Sequence, residues 1–321
     1  MSIMVTGSIA YDYLMSFPGY FKDHILPSKI ETLSVSFLVD SMRRLRGGCA
    51  TNIAYNLALL GQRPRVMATV GEDFADYRAW LEEQGVDTSR IVTIPNDFTA
   101  SFFVSTDRAN CQIASFYTGA MKEARTLSFR DGDPREIEIT IISPNDPEAM
   151  TKYVQECHEL GIPYIYDPSQ QIIRLDGEVL RAGIAGSKAF IVNEYELEMT
   201  KNKTGLTESE ITALTETLVV TLAERGSVIY HAGREIRIPV AKPVEVVDPT
   251  GVGDAYRAGF IVSLLRGYSW ETTGRMGALA ATYVLEQAGT QAHRYDLPEF
   301  VARYQDNFGD SPEIEDLLNL V

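Results

Sequence analysis

One short stretch of the chain has residue types that suit chemistry on an anion: residues 248–254, Asp-Pro-Thr-Gly-Val-Gly-Asp. An apolar helical pattern follows, so the amides of Gly251, Val252 and Gly253 are expected at a helix N-terminus, where anions bind. Asp254 falls in the first turn, and the positive end of the helix is predicted to keep it ionised. Amides that hold a phosphoryl group, beside a carboxylate that accepts a proton, favour phosphoryl transfer. A tight turn with a first-turn carboxylate is the alternative without chemistry.

Two further sets of polar residues lie near predicted element ends. Asp12 comes shortly after the buried first strand, at the end where open α/β sheets bind ligands. Its carboxylate can accept two hydrogen bonds from a vicinal diol, or it can lie solvated in a turn. Gly48 opens a predicted helix, and Asn52, one turn inside, offers both a donor and an acceptor. A purely structural role for this pair is the alternative.

The rest of the pattern predicts the elements that position these residues. We predict strands at 66–70, 91–94, 137–143, 164–166, 189–193 and 219–222, and helices at 147–160, 210–218, 272–286 and 298–304. This alternation implies an α/β fold with a parallel sheet covered by helices. A hairpin at 227–231 and 235–238 is predicted at the sheet edge.

A second, smaller sheet is predicted from strands that no helix separates. These are 32–39 and the hairpin 100–107 with 111–117, which we assign to one β lid. The apolar run 244–247 is predicted to be the strand that leads into the anion loop. We find no repeat and no linker between independent domains.

Composition excludes several classes of function. Lys and Arg number 29 against 44 Asp and Glu, and the net charge of -15 disfavours nucleic acid or an anionic membrane as a partner. No apolar run approaches the roughly 20 residues that span a bilayer, and no leader pattern precedes the first strand. The 3 cysteines are far apart, so neither a disulfide framework nor a zinc site is indicated. We expect a cytoplasmic protein.

The motif Asp-x-x-Gly-x-Gly-Asp at 248–254 resembles the C-terminal signature of the ribokinase-like (PfkB) family, and the glycine spacing at 47–71 is similar to the N-terminal signature. The resemblance implies an ATP-dependent kinase. It also implies a mostly parallel central sheet with helices on both faces and a small β-sheet lid. In the family the final Asp, here Asp254, is the catalytic base, and the amides of 251–253 form the anion hole. Val252 departs from the small residue that is usual there.

The resemblance also implies metal sites. Asn193 and Glu196 match an Asn-x-x-Glu element that organises the waters around Mg²⁺ near the phosphates. The alternative is that Glu196 has only a structural role at the start of a helix. Some members also bind a monovalent cation, K⁺, for which Asp248 and the carbonyl of Thr250 are the matching residues here.

The nucleotide is the next ligand that the resemblance implies. Residues 221–226 resemble the family's nucleotide loop, with Ala223 where Gly is usual, and 288–290 resemble the loop beside the base. The residues assigned to ATP are Asn193, Thr221, Gly226, Gly251, Gly253 and Gly289.

Stretches that cover most of the chain look more closely like the bacterial adenosine kinases, a branch of this family. This implies that Mg-ATP phosphorylates the 5′-hydroxyl of adenosine. The residues assigned to the substrate are Ser8, Asp12, Ser36, Gly48, Asn52, Phe102, Phe116 and Gln171. The resemblance assigns the ribose hydroxyls to Asp12, Gly48 and Asn52. It assigns the purine base to the two lid phenylalanines, with Ser36 and Gln171 at the edge of the base. Aromatic side chains suit this position because their faces can stack on a flat ring. The alternative is that the phenylalanines are only the lid's inner face.

These expectations together describe one ribokinase-like domain over 1–321, with the lid formed by about 11–46 and 98–119. The partners expected are a small-molecule substrate and, as one option, a second copy of the chain through the lid.

Three alternatives have different sequence requirements. A sugar kinase or a broader nucleoside kinase of the same family shares the catalytic motif, but a sugar needs no aromatic platform. A nicotinamide or flavin oxidoreductase is disfavoured because Gly7 stands alone instead of in Gly-x-Gly-x-x-Gly. A nucleoside sensor without catalysis is disfavoured by the presence of Asp254.

Overall fold

The fold is built on two β-sheets flanked by helices. The computed structural model describes residues 2–320. The strands are β1 (Ser2–Thr6), β2 (Ala10–Ser16), β3 (Ser41–Gly47), β4 (Arg65–Val70), β5 (Asp87–Thr93), β6 (Ala100–Thr106), β7 (Gln112–Tyr117), β8 (Ile137–Ile142), β9 (Tyr164–Tyr166), β10 (Ala189–Asn193), β11 (Thr217–Thr221), β12 (Ser227–His231) and β13 (Arg234–Ile238). The helices are α1 (Cys49–Leu59), α2 (Ala75–Glu83), α3 (Pro147–Leu160), α4 (Gly177–Ile184), α5 (Glu194–Thr204), α6 (Glu208–Leu214), α7 (Val252–Leu265), α8 (Trp270–Leu285), α9 (Leu297–Phe308) and α10 (Pro312–Glu315).

The central sheet has the strand order β13-β12-β11-β10-β9-β8-β1-β4-β5. From β11 to β5 every neighbouring pair is parallel, and β12 and β13 add the predicted antiparallel hairpin at one edge. This confirms the predicted α/β fold with a mostly parallel sheet. Strands that helices cover on both faces are buried throughout, which explains their continuous apolar runs.

Successive side chains of each central strand enter different cores. Ile3 and Val5 of β1 pack in a core with α1, α2, α7, α8 and α9. Met4, between them, packs in a second core with residues of α3 to α6. Because strand side chains alternate between the two sheet faces, helices cover both sides of the sheet. No helix within residues 2–320 is both long and apolar enough to cross a membrane.

The second sheet, which we call the lid sheet, has the order β3-β2-β6-β7. The predicted hairpin of β6 and β7 is confirmed. The strand predicted at 32–39 is wrong, because residues 33–39 have no regular structure and the lid strand of this region is β3. Phe37 packs on Phe17 and Phe21, so this β-rich segment folds into an aromatic cluster instead of joining a ladder.

Asp12 lies on β2, within the range 11–46 predicted for the lid but in a strand that was not predicted there. It therefore belongs to the lid sheet and not to the end of the central sheet, opposite Phe102 of β6 and Leu45 of β3.

Two other predicted elements differ in the structure. Residues 244–247 do not form a strand, because the amides of Val247 and Asp248 bond the carbonyl of Leu285 at the end of α8. The helix predicted at 210–218 ends at Leu214, since Leu218 already pairs with β10 in the sheet.

Candidate active site

A cleft of about 910 Å³ lies between the carboxyl edge of the central sheet and the lid sheet. Most residues predicted for the site line it: Ser8, Asp12, Gly48, Asn52, Phe102, Phe116, Gln171, Asn193, Glu196, Thr221, Gly251, Val252, Gly253 and Asp254. Four of the predicted residues, Ser36, Gly226, Asp248 and Gly289, do not line it. Ser36 is exposed in the irregular segment before β3.

The anion loop opens α7 as predicted. Gly251 is the N-cap with φ +82°, a left-handed conformation that favours glycine, and a Cβ there would lie 2.9 Å from Cγ2 of Thr290. Val252, Gly253 and Asp254 are the first three helical residues, so their amides have no partner within the helix. The Val252 amide makes only a long hydrogen bond, 3.4 Å, to the carbonyl of Pro249. These amides and the Asp254 carboxylate line the same cleft, as phosphoryl transfer requires.

Asp254 is half-buried and lines the cleft. Burial raises its pKa to about 6, and the Arg257 guanidinium and a hydrogen bond from Asn52 limit the rise. Nδ2 of Asn52 donates to Oδ2 of Asp254 at 2.8 Å. From the sequence, the positive end of the helix is expected to keep this carboxylate ionised. Burial partly outweighs that effect, but a pKa near 6 still leaves the group mostly ionised at neutral pH.

The residues predicted for the ribose come from two elements that meet at Gly48. Gly48 is the N-cap of α1 with φ +99°, and a Cβ there would lie 2.6 Å from the backbone of Ile9 and Ala10. The Ser8 hydroxyl accepts a hydrogen bond from the amide of Cys49 at 3.1 Å. Burial raises the pKa of Asp12 to about 6, and the charge of Asp248 adds to the rise.

The lid contributes an aromatic wall. Phe102 of β6 and Phe116 of β7 are directly opposite each other in the antiparallel pair. Both line the cleft, and the Phe116 side chain is 51% exposed. Gln171, which also lines the cleft, is buried in the turn after β9.

The side assigned to the nucleotide contains a capping box. The Asn193 side chain caps α5 through the Glu196 amide, and Oε2 of Glu196 accepts from the Asn193 amide at 2.9 Å. Oε1 of Glu196 accepts from the Ser169 hydroxyl at 3.0 Å. Thr221 ends β11 and lines the cleft. Gly226, with φ +86°, turns the chain into β12 outside the cleft.

Asp248 holds the anion loop against the loop that contains Gly289. Its Oδ1 accepts from the amide of Thr250 at 2.9 Å, and its Oδ2 accepts from the amide of Gly289 at 3.2 Å. Burial alone would raise the pKa of Asp248, but these hydrogen bonds take it below its ordinary value. Within residues 2–320, no group of three or more His, Cys, Asp or Glu side chains could hold a metal ion directly.

Two sets of contacts near Asp254 were not predicted from the sequence. Arg257 lines the cleft and forms a buried ion pair with Asp167. Gln291 donates from Nε2 to Oδ1 of Asn52 at 2.8 Å and to the Tyr77 hydroxyl at 2.6 Å. A charged residue inside the buried stretch 255–262 is the signal that could have indicated a partner for Arg257, since unpaired arginine is rarely buried.

The fold and the site together define a ribokinase-like kinase, in which a helix N-terminus and a carboxylate meet under a β lid. The chain belongs to the pfkB family of carbohydrate kinases, whose family model matches residues 11–296. The predicted enzyme class is therefore confirmed: the chain is an ATP-dependent phosphotransferase.

Individual relatives cover nearly the whole chain. A nucleoside kinase of Methanothermobacter thermautotrophicus is 30% identical over 318 residues, 97% of this chain and 98% of the relative. The structure of Burkholderia thailandensis nucleoside kinase in complex with inosine has a TM-score of 0.87 and 33% identity over 97% of this chain and 100% of that one. The Methanocaldococcus jannaschii nucleoside kinase has a TM-score of 0.85 and 28% identity over 95% of this chain and 99% of that one.

Proposed function

We propose that the chain is a nucleoside kinase that transfers a phosphoryl group from Mg-ATP to the 5′-hydroxyl of adenosine. The observation that carries the proposal is the common cleft of three features: the α7 amides, the Asp254 carboxylate and the aromatic pair of the lid sheet. A sugar kinase requires the first two, whereas a flat ring gives the third a use. The relatives named above are nucleoside kinases, which supports the same class.

The chemistry follows from the positions around Asp254. The nucleoside lies between the lid aromatics and the Gly48 turn, with its ribose diol on Asp12. Its 5′-hydroxyl then points at Asp254, which takes the proton as the oxygen attacks the γ-phosphorus of ATP and the bond from that phosphorus to the departing ADP breaks. The amides of 251–253 stabilise the charge on the transferred group. Asn52 was first assigned to the ribose. In this proposal it orients the catalytic base Asp254 through its hydrogen bond to Oδ2 of that carboxylate.

The nucleotide occupies the other half of the cleft, toward Asn193 and Thr221. The polar atoms that contact Glu196 are oxygen and nitrogen, and none belongs to a sulfur-containing side chain or a histidine. Each carboxylate oxygen of Glu196 keeps a free lone pair. This set fits Mg²⁺ that is held through water, as its reluctance to lose water favours. When bound, Mg²⁺ neutralises charge on the phosphates of ATP.

A broader nucleoside kinase is the second candidate. One similar structure holds inosine, whose base differs from adenine at the edge that Gln171 is proposed to contact. An amide side chain can donate or accept, so it suits both bases. Strict preference for adenosine is therefore the narrower form of the proposal.

ATP consumption with a panel of acceptors tests the proposal. We expect turnover with adenosine and a product whose mass and retention match adenosine 5′-monophosphate. Equal turnover with inosine, guanosine and cytidine would favour the broader kinase. Turnover with ribose or fructose, and none with any nucleoside, would contradict both forms.

Two smaller proposals concern K⁺ and assembly. We propose that Asp248 and the Thr250 carbonyl contribute to a K⁺ site. Replacing KCl by NaCl at constant ionic strength should then lower the rate of phosphoryl transfer, and an unchanged rate would exclude the K⁺ site.

We also propose a homodimer through the lid sheet, because every residue of its edge strand β7 is exposed. Light scattering should give twice the monomer mass of 35.7 kDa. A cytoplasmic location remains a prediction.

A further inference from the structure

A buried ion pair lies directly behind the proposed anion hole. Nη2 of Arg257 donates to Oδ1 of Asp167 at 2.5 Å, and Nε of Arg257 lies 2.5 Å from Oδ2. The two side chains are 7% and 1% exposed. No other ion pair among residues 2–320 has both side chains below 10% exposure. The pair is thus the most enclosed pair of opposite charges in the described chain.

Helix α7 brings this cation to the anion hole. Residues four apart lie on one helix face, so Arg257 lies next to Gly253. A Cβ added to Gly253 would be 2.6 Å from Nη1 of Arg257. Gly253 thus leaves the space that the guanidinium needs, and Arg257 lines the same cleft as Asp254.

The groups that face Asp254 come from four elements. Glu196 of α5, Asp167 after β9 and Cys49 of α1 bring acidic or neutral groups, and only Arg257 of α7 brings a positive charge among the groups that act on it. Burial raises the pKa of Asp254, and Arg257 is the largest opposing influence, ahead of the hydrogen bond from Asn52.

Stability alone does not explain such a pair. A buried ion pair is expensive to desolvate, and replacing one with apolar residues is often neutral or stabilising. The Asp167 carboxylate instead fixes the guanidinium by two contacts on one side. Nη1 remains on the side of Gly253, where a phosphoryl group would carry negative charge.

We propose that Arg257, held by Asp167, is a positioning residue that supplies a fixed positive charge behind the anion hole and so keeps the base Asp254 ionised during turnover. The inference rests on the base role of Asp254 in the proposed function. It extends that function to two residues outside the motif at 248–254.

The test is the dependence of kcat on pH at saturating nucleoside and ATP. Four variants are compared with the wild type: Asp167→Asn, the double variant Asp167→Asn with Arg257→Gln, Arg257→Lys, and Arg130→Gln as a control. The double variant leaves no unpaired buried charge. Arg130 lies outside the cleft in an exposed pair with Glu159, so its variant removes one positive charge from the surface only.

The expected shifts have opposite signs. A lone cation within about 4–6 Å lowers a carboxyl pKa by about 1–3 units, and Asp167 offsets part of that effect in the wild type. The acid limb of the kcat–pH profile of the double variant should therefore lie at higher pH than that of the wild type, by less than this full range. The limb of Asp167→Asn should move to lower pH, because the guanidinium charge is no longer offset. Arg257→Lys keeps the charge and should stay near the wild type, and Arg130→Gln should not move.

The contradicting results are equally specific. An unmoved limb in Asp167→Asn and the double variant, with wild-type nucleoside affinity by calorimetry, would overturn the inference. A double variant that does not fold leaves the test to Asp167→Asn, where a limb at wild-type or higher pH overturns it. Failure of the proposed function is distinguishable: full activity of Asp254→Asn would remove the base role itself, whatever Arg257 does.

Discussion

Replacement of Phe116 by Ala tests the assignment of the lid to the nucleoside base. Phe116 lies opposite Phe102 across the β6–β7 pair, and both rings face the cleft. Neither ring stacks on another aromatic side chain among residues 2–320, so a stacking contact with a ligand would not displace an aromatic neighbour. Because half of the ring is exposed, its loss costs the protein itself little core packing.

The expected magnitude follows from the stacking contact. An aromatic pair contributes about 0.5–1.5 kcal/mol, and 1.4 kcal/mol is about tenfold in Kd. We therefore expect Phe116→Ala to weaken adenosine binding about two- to tenfold and to leave ATP binding unchanged. Isothermal titration calorimetry with each ligand separately measures both affinities.

Phe103→Ala is the matched control. Phe103 is on the same lid sheet but on its other face, where it stacks on Tyr13 with ring centroids 4.7 Å apart and does not line the cleft. This variant should lower Tm and leave the adenosine Kd unchanged. Equal losses of adenosine and ATP affinity in Phe116→Ala, or an equal loss of adenosine affinity in both variants, would refute the assignment.

Three other predictions concern the base and the lid. Because Asp254 must be ionised to accept a proton and its pKa is about 6, kcat should fall as the pH drops through that value, and a profile flat to about pH 5 would argue against it. Asn52→Leu removes a hydrogen bond to the charged Asp254, of about 1.5–3 kcal/mol, so kcat should fall roughly tenfold or more and the acid limb of its pH profile should move to higher pH. An unchanged profile would show that Asn52 does not orient the catalytic base. Nucleoside should slow hydrogen exchange at 100–117 as the lid closes, whereas unchanged exchange at saturation would count against closure.

The central sheet could be predicted from sequence because local signals agree with its packing. Helix α3 has the predicted bounds, since Pro147 begins it and Gly161 ends it in a left-handed conformation. The lid sheet was harder to predict from the sequence. Which segment pairs with β2 is decided by contacts between distant parts of the chain, and 32–39 has strand-forming residues without a partner.

The candidate site divides in the same way. The residues of the motif at 248–254 and of the Gly48 turn could be identified because their backbone geometry is local. The contacts of Asn52 with Asp254, and of Arg257 with Asp167, join residues 202 and 90 positions apart. Such pairs follow only from the tertiary fold. The sequence therefore predicted which residues line the cleft better than it predicted what they bond.

The measurement that tests the central claim most directly is the kcat of Asp254→Asn with adenosine and Mg-ATP. Asn has nearly the same shape and can still bond Asn52 after rotation of its amide, but it cannot take the proton of the 5′-hydroxyl. We expect folding and nucleoside affinity close to wild type and a kcat lower by roughly 10³-fold, about 4 kcal/mol of barrier. A kcat within tenfold of the wild type would contradict the account.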